Sequence, residues 1–162
     1  MKNQKTIALV AHDNRKRDLA EWVEWNLESL DEHKIICTGT TGSMIEEIFK
    51  KNKTKFDVKS NKVVTKLKSG PLGGDQQLGA LIAEGKIDIF IFLWDPMEPQ
   101  PHDVDVKALL RISALYNVPT ACNRSTADFI ISSKLFKEDY EPELKDYGLY
   151  INRKIDLKKK VN

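Results

Sequence analysis

The sequence predicts an open α/β sandwich, a parallel sheet covered by helices on both faces. Three observations point there. Short apolar runs alternate with helical patterns along the chain. Runs such as TIALVA and IDIFIFLW are apolar throughout, without the polar alternation of a half-exposed strand. The connections between runs and helices are short, as βα units require.

Taken in order, residues 6–13 (TIALVAHD) read as a buried strand. Residues 15–30 place Leu19, Trp22, Val23, Leu27 and Leu30 on one helical face. Residues 34–40 (KIICTGT) form a second strand, and 41–51 a helix with Met44, Ile45, Ile48 and Phe49 inward. Residues 62–67 are a short strand, and 74–86 a helix that Gly85 ends as a C-cap. Residues 87–94 are the most strand-like run. An amphipathic helix over 103–117, a strand over 118–123 and a helix over 125–136 follow, the last with Ser125 or Thr126 near its N-cap. Residues 51–61 (KNKTKFDVKSN) read as a solvated, lysine-rich insertion. The tail from Lys137 is less periodic and reads as a C-terminal arm.

The bulk properties bound the rest. A chain of 162 residues fits one domain, and 41% hydrophobic residues supply a core for it. A net charge of +2 argues against a dedicated nucleic-acid binder. Cys37 and Cys122 lie in apolar runs rather than in a metal spacing, which suggests reduced thiols in a cytosolic protein. No apolar run is long enough to span a bilayer, and the N-terminus lacks the core of a signal peptide. The expectation is a cytoplasmic protein with no membrane and no nucleic-acid partner.

In open α/β sheets ligands sit beyond the carboxyl ends of the strands, so the loops after strands matter most. TGTTG places Thr38, Gly39, Thr40 and Thr41 at a strand-to-helix junction, where hydroxyls and N–H groups can hold an anion or simply cap the helix. HDNRK places His12 and Asp13 at a strand end, with Lys16 one helical turn on. Ser69 and Gly70 add donors from a third loop. Three loops with anion donors at one sheet edge favour a phosphate pocket. SGPLGGD surrounds Asp75 with glycine, and PHDVD carries His102, Asp103 and Asp105 on a proline-stiffened approach. Asp75, Asp103 and Asp105 each serve as helix caps or first-turn anions if taken singly. Together with His102 they form an acid–base constellation. His33 reads as a solvated turn residue, Trp22 as core, and Trp25 as surface or interface. Arg124 sits at a strand end and is a further candidate for facing the pocket.

The stretches ALVAHDNRK, TGTTG, SGPLGGDQQLGALIAEGKID, FLWDP, PHDVDVKALLR and STADFII occur in this order and resemble the methylglyoxal synthase family over most of residues 6–131. The resemblance implies a flavodoxin-like three-layer sandwich with an open, mainly parallel sheet. It implies conversion of dihydroxyacetone phosphate to methylglyoxal and inorganic phosphate, without metal or organic cofactor. It further implies a homohexamer and inhibition by phosphate. By motif, Asp75 would be the base, with His102 and Asp105 completing the acid–base set. His12, Lys16, Thr38, Gly39, Thr40, Thr41, Ser69 and Gly70 would bind substrate, mostly through its phosphate. Arg153, beside Lys154, is the nearest match to an arginine that the family supplies to a neighbour's site.

Two other readings share these features. The same fold serves as the effector-binding domain of carbamoyl-phosphate synthetase, which has no need of Asp75, His102 and Asp105 together. A phosphosugar isomerase would form the same enediolate but retain the phosphate.

Overall fold

The computed structural model describes residues 4–52 and 63–153. Five strands, β1 (Thr6–Ala11), β2 (Lys34–Thr38), β3 (Val64–Leu67), β4 (Ile89–Leu93) and β5 (Thr120–Ala121), form one sheet. Every pair in it is parallel, and the order is β3-β2-β1-β4-β5. The helices are α1 (Lys16–Trp25), α2 (Leu27–Asp31), α3 (Gly39–Asn52), α4 (Gly74–Ala83), α5 (Asp103–Leu115), α6 (Arg124–Ser132), α7 (Lys134–Lys137) and α8 (Gly148–Ile151).

Because strand side chains alternate, each central strand feeds two cores. Ile7, Leu9, Ala11, Ile89, Ile91 and Leu93 face one side, against Leu19, Trp22 and Val23 of α1, Leu27 of α2, Ile45 and Phe49 of α3 and Ala127 of α6. Ala8, Val10, Phe90 and Phe92 face the other, against Leu78 and Ile82 of α4 and Val106 and Leu109 of α5. Burying each large aliphatic or aromatic side chain contributes roughly 1.5–3 kcal/mol, so both layers are held firmly to the sheet. The expected three-layer open sandwich is present. Within that class, the strand order runs outward from β1 to β3 and then returns to β4, as in dinucleotide-type doubly wound sheets rather than the 2-1-3-4-5 order of flavodoxin itself. The switch point, where a ligand crevice opens, therefore lies between β1 and β4.

Several local expectations change. The helix expected over 15–30 breaks at Asn26, whose side-chain amide donates to the Trp22 carbonyl at 2.8 Å and competes with the helical ladder. The helix expected over 125–136 starts earlier and ends sooner. Asn123, not Ser125 or Thr126, is its N-cap, accepting from the Thr126 N–H at 2.9 Å. Ser133 then caps α7 by accepting from the Leu135 N–H at 3.2 Å. His33 is buried rather than solvated. Its Nδ1 accepts from the Lys5 N–H at 3.2 Å, and its ring meets Phe136 edge-on at 4.9 Å. Trp22 is core, with Nε1 donating to Asp128 at 2.8 Å, and Trp25 is exposed. Gly85 closes α4 as expected: its N–H donates to the Ile82 carbonyl and the Lys86 N–H to the Leu81 carbonyl. Apart from Lys51 and Asn52, which end α3, the 51–61 insertion lies outside the described residues. The arm is tied to the body by Lys5 Nζ donating to the Glu138 carbonyl and Asn117 Nδ2 to the Glu143 carbonyl.

Candidate active site

Four strands end at one edge of the sheet, and the residues that follow them surround a cleft of about 300 Å³. After β1 come His12, Asp13 and Lys16. After β2 come Thr40 and Thr41, next to Thr38 at the strand end. The β3 loop supplies Ser69, Gly70, Pro71 and Asp75, and the β4 loop Gln100 and His102. Helices α3, α4 and α5 all begin here, so their N-termini point positive dipole ends and unpaired N–H groups toward the cleft.

One end of the cleft gathers a lysine, hydroxyls and a helix N-terminus. Lys16 Nζ donates to Thr40 Oγ1 at 2.6 Å and pairs with Asp13. Among the described residues, Lys16 is the only lysine or arginine lining the cleft. The helix begins at Gly39 itself, so Thr40 and Thr41 belong to its first turn rather than to a preceding loop. Gly39 has no room for a side chain: a Cβ there would lie 2.9 Å from Ser69 Cα. The close approach brings the TGTT turn against Ser69, and the Gly39 N–H donates to the Lys68 carbonyl at 3.2 Å.

The other end holds the titratable groups. Asp75 is the second residue of α4 and is 4% exposed. Gly73, not Asp75, is the N-cap of that helix, with φ of 100°. Asp75 Oδ2 has no hydrogen-bond partner among the described residues and stands 3.7 Å from His102 Nε2. Burial, aided by the Asp105 carboxylate, pushes the Asp75 carboxyl above its ordinary value, while His102 and His12 oppose the rise. An ionised carboxylate left this bare is costly and correspondingly basic. Gly70 closes over the pair: a Cβ on it would meet Asp75 Oδ2 at 3.0 Å and His102 Nε2 at 3.1 Å.

His12 is 6% exposed, edge-on to Phe92 at 5.2 Å and to His102 at 5.7 Å. Burial first, and the neighbouring His102 second, hold it below its ordinary value, which favours the neutral ring. Its Nδ1 accepts from the Asp95 N–H at 3.3 Å, so the neutral ring carries its proton on Nε2. That Nε2 is buried and unpaired among the described residues. His102 is the N-cap residue of α5, where Asp103 was expected, and its Nδ1 is likewise buried without a partner among the described residues.

The cleft thus gathers Asp75, His102, His12, Lys16, Thr38, Thr40, Thr41, Ser69 and Gly70, with Gly39 packed behind Ser69. Asp105 does not line it. Asp105 lies in the first turn of α5 and lines a neighbouring cleft between α4 and α5 that reaches Asp75 from behind. Arg124 faces away and pairs with Glu21 at 3.5 Å. Arg153 donates to the Tyr150 carbonyl at 2.7 Å and stacks on that ring, while Lys154 lies outside the described residues. Gln100, Pro71 and the Asp95 backbone were not singled out from sequence, although each lies in a loop that was. Among the described residues no group of His, Cys, Asp and Glu is placed to hold a metal, and no helix is long and apolar enough to cross a membrane.

Comparison with known proteins places the chain in a family. A family model described as the MGS-like domain matches residues 18–122. The chain is 53% identical to the methylglyoxal synthase of Oleidesulfovibrio alaskensis over 153 residues, 94% of this chain and 97% of that one. It is 54% identical to the methylglyoxal synthase of Maridesulfovibrio salexigens over 157 residues, 96% and 100% of the two chains. The crystal structure of methylglyoxal synthase from Elizabethkingia anophelis NUHP1 superposes with a TM-score of 0.82 at 50% identity, covering 96% of this chain and 95% of that one. The chain belongs to the methylglyoxal synthase family.

Proposed function

We propose that this cleft converts dihydroxyacetone phosphate to methylglyoxal and inorganic phosphate. The observation that carries the reading is the bare Asp75 carboxylate, buried beside His102 in a cleft whose other end is an anion cradle. The substrate phosphate sits at the start of α3, among Lys16, Thr38, Gly39, Thr40, Thr41, Ser69 and Gly70. Charge-assisted hydrogen bonds there hold it and stabilise the charge that grows as it leaves.

Asp75 takes a proton from the hydroxymethyl carbon beside the carbonyl, and the electron pair of that C–H bond moves onto the carbonyl oxygen. His102 donates to this oxygen as it becomes an enediolate, and the neutral His12 offers a second donor from Nε2. The enediolate hydroxyl gives its proton to the departing phosphate, its electrons re-form a carbonyl, and the C=C pair shifts toward the carbon that bears the phosphate. The C–O bond to phosphate breaks, and phosphate departs with the bonding pair. The remaining enolate takes up at its terminal carbon the proton that Asp75 holds and becomes methylglyoxal, which returns Asp75 to its ionised form. Loss of phosphate requires the C–O bond to stand perpendicular to the enediolate plane. A cradle that pins the phosphate selects elimination over isomerisation by orientation alone. Asp105 acts from behind Asp75, keeping it a stronger base, rather than on the substrate.

A single domain carries all of this, with the 51–61 insertion and the arm as additions. Phosphate, as product, competes for its own cradle. Exposed Trp25, Phe129 and Leu149 suit self-association into a homohexamer, in which Arg153 would be free to serve a neighbour's site. The protein acts in the cytoplasm, with neither nucleic acid nor membrane as partner. The test is to incubate the purified protein with dihydroxyacetone phosphate and assay both products. Methylglyoxal and phosphate should appear in equal amounts; glyceraldehyde phosphate with no phosphate release would make the protein an isomerase.

A further inference from the structure

The crevice between β1 and β4 is bridged above the sheet by one side-chain amide. We propose that Asn14 is a positioning residue that fixes the tautomer of His12 by tying the β1 loop to the β4 loop. Asn14 Nδ2 donates to Asp95 Oδ2 at 3.3 Å and to Glu98 Oε2 at 2.5 Å. An amide nitrogen carries two hydrogens, one for each carboxylate. The Met97 N–H donates to Asp95 Oδ1 at 3.0 Å, so both oxygens of Asp95 are held. With its side chain anchored, Asp95 presents its own backbone N–H to His12 Nδ1 at 3.3 Å. That contact places the imidazole proton on Nε2, the buried nitrogen left without a partner among the described residues, on a residue that lines the cleft.

The bridge answers a weakness in the loop it holds. The β1–β4 ladder runs to Ala11 opposite Leu93, with one further bond from the His12 N–H to the Leu93 carbonyl. Beyond it, Pro96, Pro99 and Pro101 carry no N–H with which to extend the ladder. Among the hydrogen bonds of the described residues, only the Asp95–His12 contact and the Asn14 bridge join the two loops further out. The loop that Asn14 holds goes on to deliver Gln100 and His102 to the cleft. Asn14 does not line the cleft itself, so its influence on the reaction passes through Asp95 to His12.

The catalytic consequence rests on the function proposed above, whereas the tautomer is a property of the free protein. The two are therefore read separately. Asn14 is exposed, so Asn14→Ala leaves the core untouched. In protein labelled with ¹⁵N at histidine, the nitrogen shifts of wild-type His12 should report one tautomer, protonated at Nε2. In Asn14→Ala they should move toward a mixture of the two. The variant's kcat/KM should fall about 10- to 100-fold, as expected of a small misplacement in an active site, with its melting temperature within a few degrees of the parent. In a His12→Gln background the same substitution should cost less than about twofold, because the group it acts through is gone. A His12 that stays wholly protonated at Nε2 in Asn14→Ala overturns the proposal, as do equal losses of kcat/KM in the two backgrounds. Should the wild-type protein make no methylglyoxal, the reading of the cleft fails, and the nitrogen shifts still decide the role of Asn14.

Discussion

His102 Nε2 stands 3.7 Å from Asp75 Oδ2 across the roof formed by Gly70. That is too long for a hydrogen bond, so the two groups share a space rather than a proton. A substrate lying alongside the pair can meet both at once, its carbon at the base and its carbonyl oxygen at the donor. Removing the donor should therefore cost rate more than binding. His102→Ala should lower kcat by about 10²–10³-fold, the range seen when one oxyanion donor is lost. His102→Gln, which keeps an N–H, should retain part of the activity. Steady-state kinetics on folded variants check this; an unchanged kcat in His102→Ala removes the residue from the chemistry.

The unpaired carboxylate has a consequence for stability. Burial raises the folded-state value of Asp75 above its ordinary 3.8. Between the unfolded and folded values the native protein binds the extra proton, so stability falls as pH rises through that window. Asp75→Asn, which cannot ionise, should melt higher than the parent at neutral pH. The advantage should vanish as pH drops below about 3.8, where Asp75 is protonated in both states. Thermal melts of the two proteins across pH test it, and a variant that melts lower at neutral pH would contradict the sign.

Asp105 offers a cleaner separation of touching from tuning. It lies outside the cleft yet helps raise Asp75. Asp105→Asn should shift the acid limb of the kcat/KM profile to lower pH, because Asp75 then ionises more readily. Its loss of kcat at the optimum should be smaller than that of Asp75→Asn. A loss as large, with no shift of the limb, would place Asp105 on the substrate.

The sheet and its two cores are legible in the sequence because unbroken apolar strands have no other way to bury both faces. The gathering of the proposed anion cradle is legible for a similar reason: threonines, a lysine and glycines at strand ends all fall on one edge of such a sheet. What stays hidden depends on tertiary partners. His33 looks solvated until Phe136 arrives from a segment about a hundred residues later to cover it. Asp105 sits three residues from His102, but the helical turn carries it into the groove between α4 and α5, outside the cleft. Arg124 follows a strand, yet β5 lies at the edge of the sheet and its loop points at Glu21. Asn26 carries a mild helix penalty, and only its bond to the Trp22 carbonyl shows that the break wins.

Lys16 contacts Thr40 and faces the cleft that would hold phosphate. A hydrogen bond to a charged group contributes about 1.5–3 kcal/mol. Lys16→Met should accordingly lower kcat/KM for dihydroxyacetone phosphate by roughly 10- to 150-fold. Inhibition by inorganic phosphate should weaken in the same variant. Unchanged kinetics together with unchanged phosphate inhibition would leave Lys16 a structural partner of Asp13.

The role of Asp75 as the base in a phosphate elimination is tested most directly by proton exchange at the reacting carbon. Dihydroxyacetone phosphate is incubated in deuterated water with wild-type protein and with folded Asp75→Asn, and deuterium in recovered substrate is followed alongside released phosphate. Wild type should release phosphate together with methylglyoxal. Asp75→Asn should lose about 10²–10⁴-fold in both proton exchange and phosphate release, the contribution of a positioned general base. A folded Asp75→Asn that exchanges the proton and releases phosphate at the wild-type rate would contradict the assignment of Asp75 as the base.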